Sequence, residues 1–156
     1  MTINMLKINR IIFLLTAFVF NIFIGVLLNF ITPENAITNP FESENIYMLL
    51  FGALIAAPIV ETFIFQALPF YILTQKKYKV PRFWLYVFVS SIIFGVAHFY
   101  SLWYIIRIFF VGIIFASVFY LSKLRREKAI ANTIFIHLAH NAFAILMYLI
   151  FEDIGN

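Results

Sequence analysis

Cysteine is absent from the 156 residues, so a disulfide framework, a thiolate metal site and a cysteine nucleophile are all excluded. Charge is scarce as well. Asp, Glu, Lys and Arg make up 12% of the chain, against about 25% in soluble domains, while 64% is hydrophobic and the mean hydropathy is +1.00. A chain so poor in charge cannot cover a water-facing surface, and the composition is that of an integral membrane protein. The length allows one compact bundle of about five spans of roughly 20 residues, with no room for a second domain. No internal repeat, low-complexity tract or coiled-coil heptad is present. The net charge of +4 reflects bases confined to loops, the usual topology signal, and gives no case for a nucleic-acid partner.

Taken in order, Lys7 and Arg10 precede an apolar run over 11–31 that is too long for the core of a signal peptide and reads as an anchor span. Thr32 to Asn45 holds two prolines and three glutamates and no base, which predicts an external loop. The second run, 46–73, contains Pro58 and Pro69, each of which removes a backbone donor and clashes with the preceding turn. Lys76, Lys77, Lys79 and Arg82 form a basic loop before the third run, 83–100. A very short connection leads to the fourth, 102–121, where Trp103 and Tyr104 suit an interfacial belt. Lys123, Arg125, Arg126 and Lys128 precede the last run, 129–151. Ten of the eleven bases fall in the N-terminal tail and in two loops that five spans put on one side. The positive-inside rule therefore predicts a cytoplasmic N-terminus and an external C-terminus, in a bundle of a size that suits a bacterial plasma membrane.

Of the seven carboxylates, six lie in loops or tails and one, Glu61, sits inside an apolar run. An ionisable group at bilayer depth is expensive and by default marks a functional site. All three histidines, His98, His137 and His140, also fall inside apolar runs. His137 and Asn141 are four apart and share a helix face, and Phe94 lies one turn from His98. A carboxylate and a histidine can hold and deprotonate a water, while a second histidine and an amide can donate to a developing oxyanion. Those are the parts of a peptide hydrolase. Glu61, His98 and His137 could also be the three protein ligands of a catalytic metal such as zinc, so the cofactor stays open between a divalent metal and none. Counted along ideal helices, Glu61 and Asn141 lie roughly 18 Å deep, His137 about 12 Å and His98 about 22 Å. Their convergence requires the third helix to tilt or to start below the interface.

At these residues the chain resembles the CPBP family of intramembrane proteases, also called Abi or CAAX-protease-like. The family's motifs, a glutamate-led E-E-x-x-x-R, then F-x-x-x-H, then H-x-x-x-N, read here as Glu61-Thr62-x-x-x-Gln66, Phe94-x-x-x-His98 and His137-x-x-x-Asn141. The likeness covers roughly 50–146. Thr62 and Gln66 replace the family's second glutamate and arginine, so an ion pair becomes a neutral couple, with a hydrogen bond expected on one helix face. The resemblance implies an all-α intramembrane endopeptidase. Glu61 and His98 would activate the water, His137 and Asn141 would stabilise the oxyanion, and Thr62, Gln66 and Phe94 would support them. It also implies a membrane-embedded or membrane-proximal protein or peptide substrate. The absence of H-E-x-x-H on one helix gives no support to the commonest zinc-protease arrangement.

Plainer readings stand beside these. Glu61 can be a packing carboxylate, and His137 and Asn141 can be interhelical hydrogen-bonding glue. His140 is the imidazole most easily confused with His137, and Arg107, the only base inside a span, can snorkel to the interface. A non-catalytic immunity or scaffold protein of the same fold would keep its phenotype without Glu61. A proton-coupled transporter is the third class, disfavoured by the short chain and the lack of repeated halves.

Overall fold

The computed structural model describes residues 8–32, 45–74 and 82–154. The expected external loop and first basic loop fall largely outside these residues. Five helices account for the described chain, with no strand among the described residues: α1, Arg10–Ile31; α2, Ile46–Thr74; α3, Phe83–Ala97; α4, Leu102–Leu124; and α5, Ala129–Ile154. α1, α2, α4 and α5 are each long and apolar enough to cross a membrane, and α3 is a shorter apolar helix of 15 residues. Three of the helices start where a short polar side chain caps them. Asn9 accepts from the Ile11 N–H, Asn45 from Tyr47 and Ser101 from Tyr104.

The third apolar run ends as a helix three residues earlier than expected. α3 stops at Ala97, and His98 leaves helical geometry while its N–H donates to the Gly95 carbonyl. Phe99 and Tyr100 continue the hydrophobic run but form the turn, so hydropathy alone overshoots the boundary. The turn is tight because the two helices it joins nearly touch. A Cβ on Gly95 would lie 3.0 Å from the Ile105 carbonyl oxygen, and one on Gly112 would lie 3.1 Å from the Ser91 Cα.

α2 is continuous but not uniformly wound. Over Gly52–Ala56 and Thr62–Ala67 it opens into wide turns with hydrogen bonds spanning five residues, such as Ala57 N–H to Gly52 and Leu68 N–H to Phe63. Each wide turn is followed closely by a proline, Pro58 or Pro69, which has no N–H to return. Inside a membrane the freed carbonyls need partners from neighbouring helices. α3 supplies them at the second break: the Ser90 hydroxyl donates to the Phe65 carbonyl and the Tyr86 hydroxyl to that of Gln66.

α4 is the most enclosed of the four long helices. Its inward stripe of Ile108, Val111, Phe115 and Val118 joins Leu14, Phe94 and Ile136 in one apolar cluster, and Phe119 joins Phe70, Tyr86 and Val87 in another. One end of the bundle is closed by a polar knot. Arg10 donates to the Asn132 Oδ1, whose amide donates to Ser122 and Glu127, while Arg125 pairs with Glu127 at 2.8 Å. The α4–α5 turn passes through Arg126 at φ 58°, a left-handed conformation that costs a residue with a Cβ about 1 kcal/mol and glycine little. Arg126→Gly is therefore expected to raise the thermal midpoint of the detergent-solubilised protein by about 2–4 °C. A lower midpoint would show that the Arg126 side chain contributes more than its backbone costs.

Candidate active site

Glu61 lies at the end of the helical segment between the two wide turns of α2. Its Oε2 is 3.7 Å from His98 Nε2 and 3.6 Å from His137 Nε2, which brings together residues from α2, the end of α3 and α5. Both separations exceed a direct hydrogen bond, and both suit groups bridged by a small polar molecule. The His98 side chain emerges just past the end of α3 and comes within 3.7 Å of Glu61.

The two imidazoles face the carboxylate in opposite states. His98 Nδ1 lies 2.7 Å from the Phe94 carbonyl oxygen, which can only accept, so the proton sits on Nδ1 and Nε2 presents a lone pair toward Glu61. His137 Nδ1 is buried without a partner, which leaves its proton best placed on Nε2, the nitrogen on the Glu61 side. One ring is an acceptor toward the site and the other a donor. Phe94 sets both orientations: its ring stands edge-on to His98 at 4.7 Å and to His137 at 5.9 Å. Phe115 packs on the other side of His137 at 4.5 Å.

A cavity of about 280 Å³ opens at these groups, walled by Glu61, His98, His137, His140, Asn141 and Tyr104 together with apolar side chains of α2, α4 and α5. A second, of about 340 Å³, is bounded by Glu61, Phe65, Ala97, His98, Phe99 and Tyr100. Glu61, His98 and Tyr100 line both. Asn141 stands at the wall of the first cavity with its amide donating to the Ala53 carbonyl at 2.7 Å. His140 lines that cavity too, but its Nδ1 has no partner and it makes no ion pair with Glu61. Arg107 is held by α1, donating to Asn29 at 2.7 Å.

Tyr104, which with Trp103 suits an interfacial belt, is half-buried and lines the first cavity. Its ring stacks edge-on against Tyr100 at 5.2 Å and lies 6.3 Å from His98. The signal for this was in the sequence, because Tyr104, Ile108, Val111 and Phe115 follow the helical spacing of a buried face.

A family model described as type II CAAX prenyl endopeptidase Rce1-like matches residues 43–143. The chain belongs to that family. At the family level it is a CAAX-type intramembrane protease and an integral membrane protein. No curated protein and no solved structure matches it.

In this Rce1-like chain the Thr62–Gln66 couple departs from expectation. Both side chains are fully buried, yet neither the Thr62 hydroxyl nor either polar atom of the Gln66 amide has a hydrogen-bond partner. The spacing of four assumed ordinary α-helical winding, whereas 62–67 is a wide turn and the two side chains do not bond. Unpaired polar groups of this kind cost roughly 1–3 kcal/mol each. Thr62→Val combined with Gln66→Met is thus expected to leave the thermal midpoint unchanged or raised. A fall of more than about 5 °C would reveal a partner for one of them, such as a bound water.

Metal binding was the other expectation for Glu61, His98 and His137. Among the described residues no group of three or more His, Cys, Asp or Glu side chains is arranged to hold a metal ion. The chemistry considered below uses only the donors and acceptors of these side chains.

Proposed function

We propose that this Rce1-like protein hydrolyses a peptide bond in a membrane-associated substrate through a water held between Glu61 and His98. The reading is carried by one observation, the gap of 3.6–3.7 Å between one carboxylate oxygen and two imidazole nitrogens. Glu61 takes a proton from the water while His98 Nε2 accepts its other hydrogen and fixes its direction of attack. The water oxygen bonds to the carbonyl carbon, and the carbonyl oxygen, now negative, accepts the His137 Nε2–H. Collapse of this adduct breaks the C–N bond, and the proton stored on Glu61 passes to the departing nitrogen. Water and peptide are consumed, an acid and an amine are formed, and Glu61 returns to its starting state.

The family description supplies the substrate class, a protein ending in a prenylated Cys-a-a-X sequence. Such a chain end is anchored at the bilayer, where a site built between spans can meet it. The ten loop and tail bases support a cytoplasmic N-terminus, the side on which prenylated chain ends are presented. The purified protein in detergent, incubated with a farnesylated Cys-a-a-X peptide, is expected to release a C-terminal fragment detectable by mass spectrometry. A peptide left intact by the native protein under conditions where it stays folded sinks the proposal.

A further inference from the structure

α2 holds an acceptor that its own chain cannot satisfy. In an ordinary helix the Ala53 carbonyl would accept from the Ala57 N–H, but that group is bonded five residues back, to Gly52. In a uniformly wide turn it would accept from residue 58, but residue 58 is proline. Both local donors are therefore gone, inside a membrane-spanning helix. The group that fills the vacancy comes from another helix: Asn141 Nδ2 donates to the Ala53 oxygen at 2.7 Å. The second wide turn is served in the same manner, with Ser90 and Tyr86 of α3 donating to Phe65 and Gln66 around Pro69. Each proline break in α2 is thus closed by a side-chain donor from across the bundle.

We propose that Asn141 is a positioning residue: one N–H of its amide completes the backbone of α2 at the Pro58 break and thereby sets the direction of Glu61. Glu61 follows Pro58 by three residues, so whatever winding is adopted at 52–57 decides which way the carboxylate points. Asn141 follows His137 by four residues on the same helix face, so one face of α5 both clamps the break and presents the imidazole that faces Glu61. The clamp and the imidazole therefore keep a fixed spacing. This inference rests on the peptidase reading for its kinetic arm, but its structural arm does not.

The test is a double-mutant cycle of Asn141→Ala and Pro58→Ala in the full chain, read by thermal midpoint and by steady-state kinetics. Restoring an N–H at residue 58 lets α2 satisfy Ala53 by itself. Asn141→Ala is expected to lower the midpoint by about 5 °C when residue 58 is proline and by less than about 2 °C when it is alanine. With Pro58 present, kcat is expected to fall about 100-fold with KM changed less than threefold, because misdirection of Glu61 affects the reacting geometry and not substrate binding. In the Pro58→Ala background the same substitution is expected to change kcat by less than threefold. Equal midpoint losses in both backgrounds, or a kcat loss that persists when residue 58 is alanine, would overturn the proposal in favour of a direct contact with the substrate.

Hydrogen exchange measured by mass spectrometry gives a further readout on a single variant, should Pro58→Ala not fold. Asn141→Ala is expected to speed exchange over 52–61 at least tenfold while leaving α3 unchanged. Unaltered exchange there also defeats the clamp. The midpoint and exchange measurements need no substrate, so a failure of the peptidase reading is distinguishable from a failure of this one.

Discussion

Glu61→Gln is expected to slow peptide cleavage about 10³-fold while shifting the thermal midpoint by only a few degrees. The substitution preserves the size of the side chain but replaces one acceptor oxygen by an NH2 donor. What it removes is the ability to take a proton from water and return it to the leaving nitrogen. Both imidazole nitrogens stand 3.6–3.7 Å from the same carboxylate oxygen, so the exchange alters the atom on which the site converges. His98 Nε2 keeps its lone pair and still accepts a hydrogen from the water, so the residual rate reports what the imidazole does alone. A variant that keeps more than about a tenth of native turnover on the farnesylated peptide would mean that Glu61 is a packing carboxylate and that the water is activated elsewhere.

Gly112→Val should be nearly as damaging without touching a single reacting atom. Gly112 lies on α4 where α3 crosses it, and a Cβ there would sit 3.0 Å from Phe94 Cδ1 and 3.1 Å from the Ser91 Cα. The second contact is backbone, which cannot swing aside, so the helices must separate or Phe94 must move. Overpacking of this kind costs about 1–3 kcal/mol. Phe94 is also the ring that both His98 and His137 rest against, and displacement of a reacting group by about 1 Å is worth about 10²-fold in rate. A loss of that size in kcat, measured on protein that still binds substrate, is the expected outcome. Gly25→Ala is the control, since nothing lies within 4 Å of a Cβ at that position. Equal activity in the Gly112 and Gly25 variants would show that Phe94 does not set the imidazoles.

The helical bundle was legible because spans are long and their chemistry is monotonous: apolar runs of about 20 residues admit few alternatives in a lipid environment. The constellation was legible for the converse reason. A single carboxylate and a few imidazoles inside such runs are conspicuous, and four of them surround one cavity. Winding was harder to read. Pro58 and Pro69 announced that α2 would lose donors, yet the sequence could not say that the helix would open into five-residue turns or that Asn141, Ser90 and Tyr86 would supply the replacements. The expected Thr62–Gln66 bond failed for the same reason, since its spacing presupposed the regular phase that the prolines abolish. Phe99 and Tyr100 hid the end of α3 because a turn made of aromatic residues has the hydropathy of a helix.

The junction shared by the two cavities has a consequence for traffic. Glu61, His98 and Tyr100 line both cavities, so on the proposed reading a polypeptide crossing them would reach into each. On that reading the two halves of a cut chain would lie in separate cavities.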